Sequence, residues 1–114
     1  MSKAVHVTTA TFEEQVILSE QPVIVDFYAD WCGPCKMLSP VLEQLAIEHT
    51  EVKIAKVNVD EEPALASRFQ VRSIPTIVLA FEGREMARAA GARSASQLVE
   101  WARTEFSRTA QPMR

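Results

Sequence analysis

Apolar and polar positions along this chain change their period several times, and each change marks an expected element. Val5-His6-Val7 reads as a short opening strand. Thr11-Phe12-Glu13-Glu14 has the spacing of a capping box and predicts a helix through about Leu18. Pro22 then breaks the chain before Val23-Ile24-Val25-Asp26-Phe27-Tyr28-Ala29. That run is too continuously apolar for a half-exposed strand, so it predicts a central strand covered on both faces. Further on, Leu38, Val41, Leu42, Leu45 and Ala46 recur at helical spacing and make one buried stripe. Pro40 lies inside this stripe and predicts a kink.

The segment from Val52 to Val59 is the next expected strand. Asp60-Glu61-Glu62-Pro63 opens a short helix ending near Phe69, with Glu61-Glu62 as its solvated, dipole-favourable start. After Pro75, Thr76 to Phe81 reads as a strand, and Glu82-Gly83-Arg84 as a hairpin turn into a last strand around Glu85 to Ala90. Gly91 interrupts, and Ser94-Ala95-Ser96-Gln97 is a second capping box, starting a helix to about Phe106. Alternating strands and helices favour parallel neighbours with right-handed crossovers, and the hairpin adds antiparallel members. The expected fold class is therefore α/β, a three-layer α/β/α domain on a central mixed five-stranded sheet. Residues 1–107 read as a single domain and 108–114 as a flexible C-terminal tail.

Composition narrows the chemistry. The 114 residues are 47% apolar and 24% charged, proportions of one ordinary globular domain rather than a disordered or fibrous chain. The net charge of −3 comes with no basic stripe, which argues against nucleic acid as partner. No apolar run approaches the roughly 18 residues a membrane span needs. The N-terminus lacks the apolar stretch and cleavage site of a signal peptide, so a cytoplasmic location is expected.

There are two cysteines, Cys32 and Cys35. A bridge between them closes too small a loop to stabilise the fold much, so the pair points to catalysis or metal binding. A bare Cys-x-x-Cys is also half of a zinc site. The remaining soft ligands, His6 and His49, lie far apart without paired spacing, and the metal reading lacks its second half. Placement favours redox chemistry. A strand ends near Ala29 and a helix begins near Cys32, where unpaired backbone N–H groups and the positive dipole end stabilise a thiolate. Cys35 lies three residues on, and helical neighbours at that spacing are roughly 5–6 Å apart, within disulfide reach. Pro34 is tolerated because its missing N–H falls in the first turn.

Trp31-Cys32-Gly33-Pro34-Cys35-Lys36, following Val25-Asp26-Phe27, resembles the active site of the thioredoxin family in full. Ile74-Pro75-Thr76 resembles that family's cis-proline loop, Gly83 and Gly91 match its two later glycines, and the likeness runs from about Val5 to Phe106. The resemblance implies the thioredoxin fold and a protein-disulfide reductase. Cys32, as thiolate, would attack a client disulfide, and Cys35 would then resolve the mixed disulfide. No cofactor would be bound beyond the Cys32–Cys35 dithiol/disulfide. Gly33 and Pro34 resemble the dipeptide of reducing members and would tune the potential toward reduction. The implied partners are a thioredoxin reductase, NADPH-dependent and flavin-containing in most such systems, and client proteins carrying disulfides. The protein would act as a monomer, bound to neither nucleic acid nor membrane.

Asp26 is the one charged residue in its strand, and burial there should raise its pKa. It reads either as a structural carboxylate with a satisfied partner or, by resemblance, as the base that deprotonates Cys35. Lys56 matches the family lysine near that aspartate, with a plain solvated strand lysine as the rival reading. By resemblance Trp31, Gly33, Pro34, Ile74, Pro75, Gly91 and Ala92 would form a modest apolar client-binding surface. There the backbone of residue 74 could pair with an extended client segment. Tyr28, Ser73, Ala90 and the Ala80–Gly83 stretch depart from the more familiar family residues and bear on client choice. A thioredoxin-fold binding subunit of a larger complex is the alternative function. The presence of both cysteines and Asp26 favours the reductase.

Overall fold

The apolar run after Pro22 forms β2 (Val23–Tyr28), and it lies in the middle of the sheet. The computed structural model describes residues 4–109. The other strands are β1 (Val5–His6), β3 (Lys53–Asn58), β4 (Thr76–Phe81) and β5 (Arg84–Ala90). They assemble in the order β1-β3-β2-β4-β5. β3 runs parallel to both β1 and β2, while β4 is antiparallel to β2 and β5 to β4. The mixed sheet expected from the alternating elements and the final hairpin is thus present.

Both faces of the sheet are covered, which is why β2 tolerates no alternation of polar residues. Val23, Val25 and Phe27 pack on one side with Phe12, Val16 and Leu65 of the short helices that precede β2 and follow β3. Ile24 packs on the other with Leu38, Leu42 and Leu45 of α1 (Gly33–Glu48) and Leu98 of α3 (Ala95–Thr109). The stripe read from Leu38, Leu42, Leu45 and Ala46 is buried, and Val41 is half-buried beside it. Pro40 sits inside α1. It withholds the N–H that the Lys36 carbonyl would otherwise receive. The helix α2 (Pro63–Arg68) is short, as expected, but begins on its proline, with Glu62 as the residue before it, so Glu61-Glu62 precede the helix instead of starting it.

The two capping boxes come out differently. At Ser94 the expected pairing forms in full: the Ser94 N–H donates to Gln97 Oε1 at 2.9 Å and the Gln97 N–H donates to Ser94 Oγ at 3.2 Å. At the first helix the expectation fails. Thr11 pairs backward with Thr8, the Thr8 N–H donating to Thr11 Oγ1 at 2.9 Å and the Thr11 N–H to Thr8 Oγ1 at 3.2 Å. A second hydroxyl three residues upstream closes the turn, so Glu14 is left exposed. The segment that follows, Glu13–Ile17, is a π-type turn in which the Leu18 N–H reaches the Glu13 carbonyl at 2.9 Å.

Two further details depart from expectation. α3 continues to Thr109, past both the expected end near Phe106 and the boundary at 107. An Arg108–Glu105 ion pair one turn apart supports the added residues. The rest of the expected tail, 110–114, lies outside the described residues. In the hairpin, Glu82 (φ 52°) and Gly83 (φ 77°) both take the left-handed conformation of a type I′ turn. Leu79 faces Ala87 whereas Ala80 faces Glu85, so Met86 is the extra residue of a β-bulge.

The caps generate a direct test. Removing the hydroxyl in Ser94→Ala or Thr11→Ala should each cost about 1 kcal/mol of unfolding free energy. Glu14→Ala should change stability by less than about 0.5 kcal/mol. Urea unfolding of the three variants measures the difference, and a Glu14→Ala loss equal to that of Thr11→Ala would contradict the observed cap.

Candidate active site

β2 ends at Tyr28, and the chain turns over the end of the sheet through Ala29, Asp30 and Trp31 into α1. Cys32 is the residue before the helix, extended at φ −90° and ψ 115°. That conformation swings its side chain back over the helix end, where Sγ accepts the Cys35 N–H at 3.2 Å. Pro34 occupies the first turn, so no helical donor is lost to it. Cys32 and Cys35 are joined as a disulfide, with Cα atoms 5.3 Å apart.

The two sulfurs are chemically unequal. Both residues are nearly buried, Cys32 at 4% and Cys35 at 3% exposure, so accessibility does not separate them. Their electrostatics do. A thiolate on Cys32 would receive the Cys35 N–H as a charge-assisted bond and sit at the positive end of α1. Cys35, inside the first turn, has no equivalent donor aimed at its sulfur among the described residues. Gly33 and Pro34 beside Cys32 are exposed. So is Trp31, at 70%.

The loop before β4 closes the other side. Ile74–Pro75 is a cis peptide, as the resemblance implied. The Ile74 carbonyl oxygen lies 3.8 Å from Cys32 Sγ, and the half-buried Ile74 side chain packs on the cluster of Ala29, Cys32 and Cys35. The Pro75 carbonyl accepts the Gly91 N–H at 3.0 Å, which ties the end of β5 to this loop. Gly91 has φ 88°, where a side chain would be strained. Ala92 follows it, exposed. The structure therefore links Ile74, Pro75 and Gly91 to Cys32 through successive contacts.

Two members of this surface escape a reading of the sequence alone. Asp60 Oδ2 accepts the Trp31 Nε1–H at 2.8 Å and fixes the exposed indole. Asn58 Oδ1 in turn accepts the Asp60 N–H at 2.9 Å, shaping the turn after β3. Met37 is 71% exposed on α1, and its place in an apolar stretch of sequence disguises it as core. Nothing local to Asp60 marks it as a partner of a residue 29 positions earlier.

Asp26 is 1% exposed, and neither carboxylate oxygen has a protein hydrogen-bond partner. No protein group among the described residues satisfies this carboxylate. Burial is the dominant influence and pushes its pKa up to about 7, opposed by the Lys56 charge. Strand alternation puts Asp26 on the α1 side, with Ile24. Its register neighbours are Lys56 on β3 and Ile77 on β4. Lys56 is half-buried, not a freely solvated strand lysine, and its Nζ donates to Ser39 Oγ of α1 at 2.9 Å. The same ammonium lies 5.0 Å from the centre of the Tyr28 ring. Burial, then the neighbouring Asp30 charge, raise the Tyr28 hydroxyl above its ordinary value. Among the described residues no group of three or more His, Cys, Asp or Glu side chains is placed to hold a metal ion.

A paired sulfur at a helix start, closed over by a cis-proline loop on a mixed sheet, defines a thiol–disulfide oxidoreductase. Comparisons with known proteins agree. The thioredoxin family model matches residues 3–104. The chain is 46% identical over 102 residues to the thioredoxin of Haemophilus influenzae, covering 89% of this chain and 95% of that protein. It is 41% identical over 99 residues to the thioredoxin of Rickettsia bellii, covering 86% and 94%. With the thioredoxin of Thiocapsa roseopersicina it shares 51% identity over 76 residues, covering 66% and 84%. The chain belongs to the thioredoxin family, and it reduces disulfides through its own cysteine pair.

The Asp26 carboxyl makes stability depend on pH in a defined direction. Its folded pKa of about 7 exceeds the ordinary 3.8, so between those values the folded chain binds the extra proton. Stability from this group is full at low pH and declines as pH rises toward 7. Asp26→Asn keeps the shape and abolishes the titration. Its stability relative to the parent should rise by about 2 kcal/mol between pH 5 and pH 8. Urea unfolding of the oxidised forms at both pH values measures this, and an equal difference at the two would contradict a buried, titrating Asp26.

Proposed function

We propose that this protein is a reductant in which Cys32 attacks and Cys35 resolves. The observation that carries the assignment is the Cys35 N–H aimed at Cys32 Sγ at 3.2 Å, a donor available to one sulfur and not the other. In the reduced state the Cys32 thiolate attacks one sulfur of a client disulfide. A Cys32–client disulfide forms and the other client sulfur leaves as thiolate. Cys35 then gives its proton to the Asp26 carboxylate and attacks Cys32 Sγ. The first client sulfur leaves, and the Cys32–Cys35 disulfide remains. Two electrons have passed to the client, and the Asp26 proton returns to solvent. A base with a pKa of about 7 suits this step, since it is substantially ionised at neutral pH yet holds a proton readily.

The client would lie against Trp31, Gly33, Pro34, Met37 and Ala92, with the backbone at Ile74 offering strand-like pairing beside Pro75 and Gly91. Lys56 would moderate the affinity of Asp26 for its proton, and Gly33-Pro34 would hold the pair to reduction. The dithiol is regenerated by a reductase that delivers two electrons, and an NADPH-dependent flavoprotein is the partner we propose. The fold from β1 to α3 would act as one unit and as a monomer. No helix among the described residues is long and apolar enough to cross a membrane. A cytoplasmic site of action accords with the bacterial thioredoxins matched and is part of the proposal.

Trapping distinguishes the two sulfurs. Cys35→Ser should form stable mixed disulfides with client proteins, released by dithiothreitol and absent in a Cys32→Ser, Cys35→Ser double variant. Both single variants should lose at least about 10³-fold in reduction of insulin disulfides, since sulfurs acting as a unit fail together. Client adducts accumulating on Cys32→Ser instead would reverse the assignment.

A further inference from the structure

Asp26 and Lys56 are register neighbours on adjacent parallel strands, with side chains on the same face of the sheet. Neighbouring strands are about 4.8 Å apart, well within the reach of a lysine side chain. A buried carboxylate without a protein partner beside an ammonium should close into an ion pair. It does not: both Asp26 oxygens lack a protein hydrogen bond. The Lys56 ammonium is turned toward α1, where Ser39 Oγ accepts from it at 2.9 Å and the Tyr28 ring flanks it at 5.0 Å. Ser39 follows Cys35 by four residues, one turn along α1, and is half-buried between the sheet and the helix. It is a hydroxyl flanked by Cys35, Leu38 and Leu42, all buried.

We propose that Ser39 is a positioning residue of the redox site, whose hydroxyl holds the Lys56 ammonium off the Asp26 carboxylate and keeps that carboxylate free to exchange a proton. Lys56 still acts on Asp26 through its charge, opposing the effect of burial. A contact pair would act far more strongly. Opposite charges in contact lower a carboxylate pKa by roughly 1–3 units. Ser39 thus sets how much of the lysine's charge Asp26 feels. Among the described residues Lys56 from β3 is the charged group that acts on Asp26, and Tyr28 from β2 senses Asp26. In the proposed mechanism the reduced Cys35 of α1 is the third. β4 contributes the apolar Ile77. Tyr28 in turn senses Asp30 and Glu61.

The consequence for turnover rests on the reading of Asp26 as proton acceptor, but the positioning itself is measurable without turnover. In the oxidised protein, where the cysteines do not titrate, the Asp26 carboxyl carbon is followed by NMR across pH. Ser39→Ala should lower the Asp26 midpoint by roughly one unit, because the freed ammonium closes onto the carboxylate. Ser39→Thr, which keeps the hydroxyl, should titrate as the parent does. Lys56→Met should raise the midpoint, and adding Ser39→Ala to it should then change nothing. A midpoint unmoved or raised by Ser39→Ala overturns the proposal. So does a shift that persists without Lys56, since that would be a merely structural effect of the serine. The pH profile of mixed-disulfide resolution forms a second arm. If it moves with the NMR midpoint, both readings stand. A shifted NMR midpoint with an unmoved kinetic profile keeps the role of Ser39 and removes Asp26 as the acceptor.

Discussion

The site depends on a single backbone amide, the Cys35 N–H that meets Cys32 Sγ where β2 hands the chain to α1. The first turn of any helix leaves donors without internal partners, and they must be satisfied from outside the helix. Serine, threonine or aspartate is the usual solution. Here a cysteine takes that position, so the donor that closes the helix end also stabilises sulfur in its anionic form. Position is fixed from below. β2 is buried from Val23 to Phe27 in the middle of the sheet, Ala29 is buried after it, and the Cys32 N–H donates to the Ala29 carbonyl at 3.2 Å. With the strand held, the helix start is held too, and the Cys32 and Cys35 backbones stand 5.3 Å apart between Cα atoms, within disulfide reach.

Asp26 shows the cost side of the same design. Two influences compete at this carboxyl, loss of water around the charge and attraction to Lys56, and burial wins. An ion pair in full contact would reverse the order, and the fold avoids it by giving the lysine other hosts. The hydroxyl of Ser39 and the ring of Tyr28 each take part of an ammonium that would otherwise neutralise the aspartate. The residue left behind is destabilising to the folded chain when ionised. That pattern, a buried group held in an unfavourable state by surrounding structure, is what functional sites show more often than structural ones. The Tyr28 ring faces the lysine, and its hydroxyl lies 3.4 Å from His6 Nδ1.

How far the sequence discloses this arrangement follows from the range over which each interaction acts. Ser94 and Gln97 cap α3 as their spacing requires, because both partners lie within one turn. The apolar stretch of β2 and the stripe of α1 announce burial directly, since one periodicity encodes each. Thr11 misleads because Thr8 competes for the same donors, and a motif of one serine or threonine and one glutamate does not show a rival hydroxyl. The bulge at Met86 has no composition of its own. Cys32, Cys35 and the buried Asp26 are legible because chemistry-bearing residues stand out against apolar neighbours. Asp60 beneath Trp31 and Ser39 beneath Lys56 are not, for the opposite reason. Each is an ordinary polar residue whose meaning comes from a partner 29 or 17 positions away.

The same division bears on how such a protein can serve unlike clients. In the proposed mechanism the exposed apolar groups around Cys32 are few: an indole fixed by Asp60, a proline, a flexible methionine and a short loop. So small a patch supplies little affinity, because immobilising two bodies opposes most of what the contact returns. Selectivity then lies in chemistry rather than in fit. Any accessible disulfide can be attacked, and the bond formed holds the client where shape does not. A complex held covalently needs a built-in release. In the mechanism proposed above Cys35, one turn behind, would supply it once a base accepts its proton. Weak docking and prompt resolution are therefore linked requirements. Tighter non-covalent binding would slow departure of the reduced client without improving the exchange itself, and the shallow surface is what that balance demands.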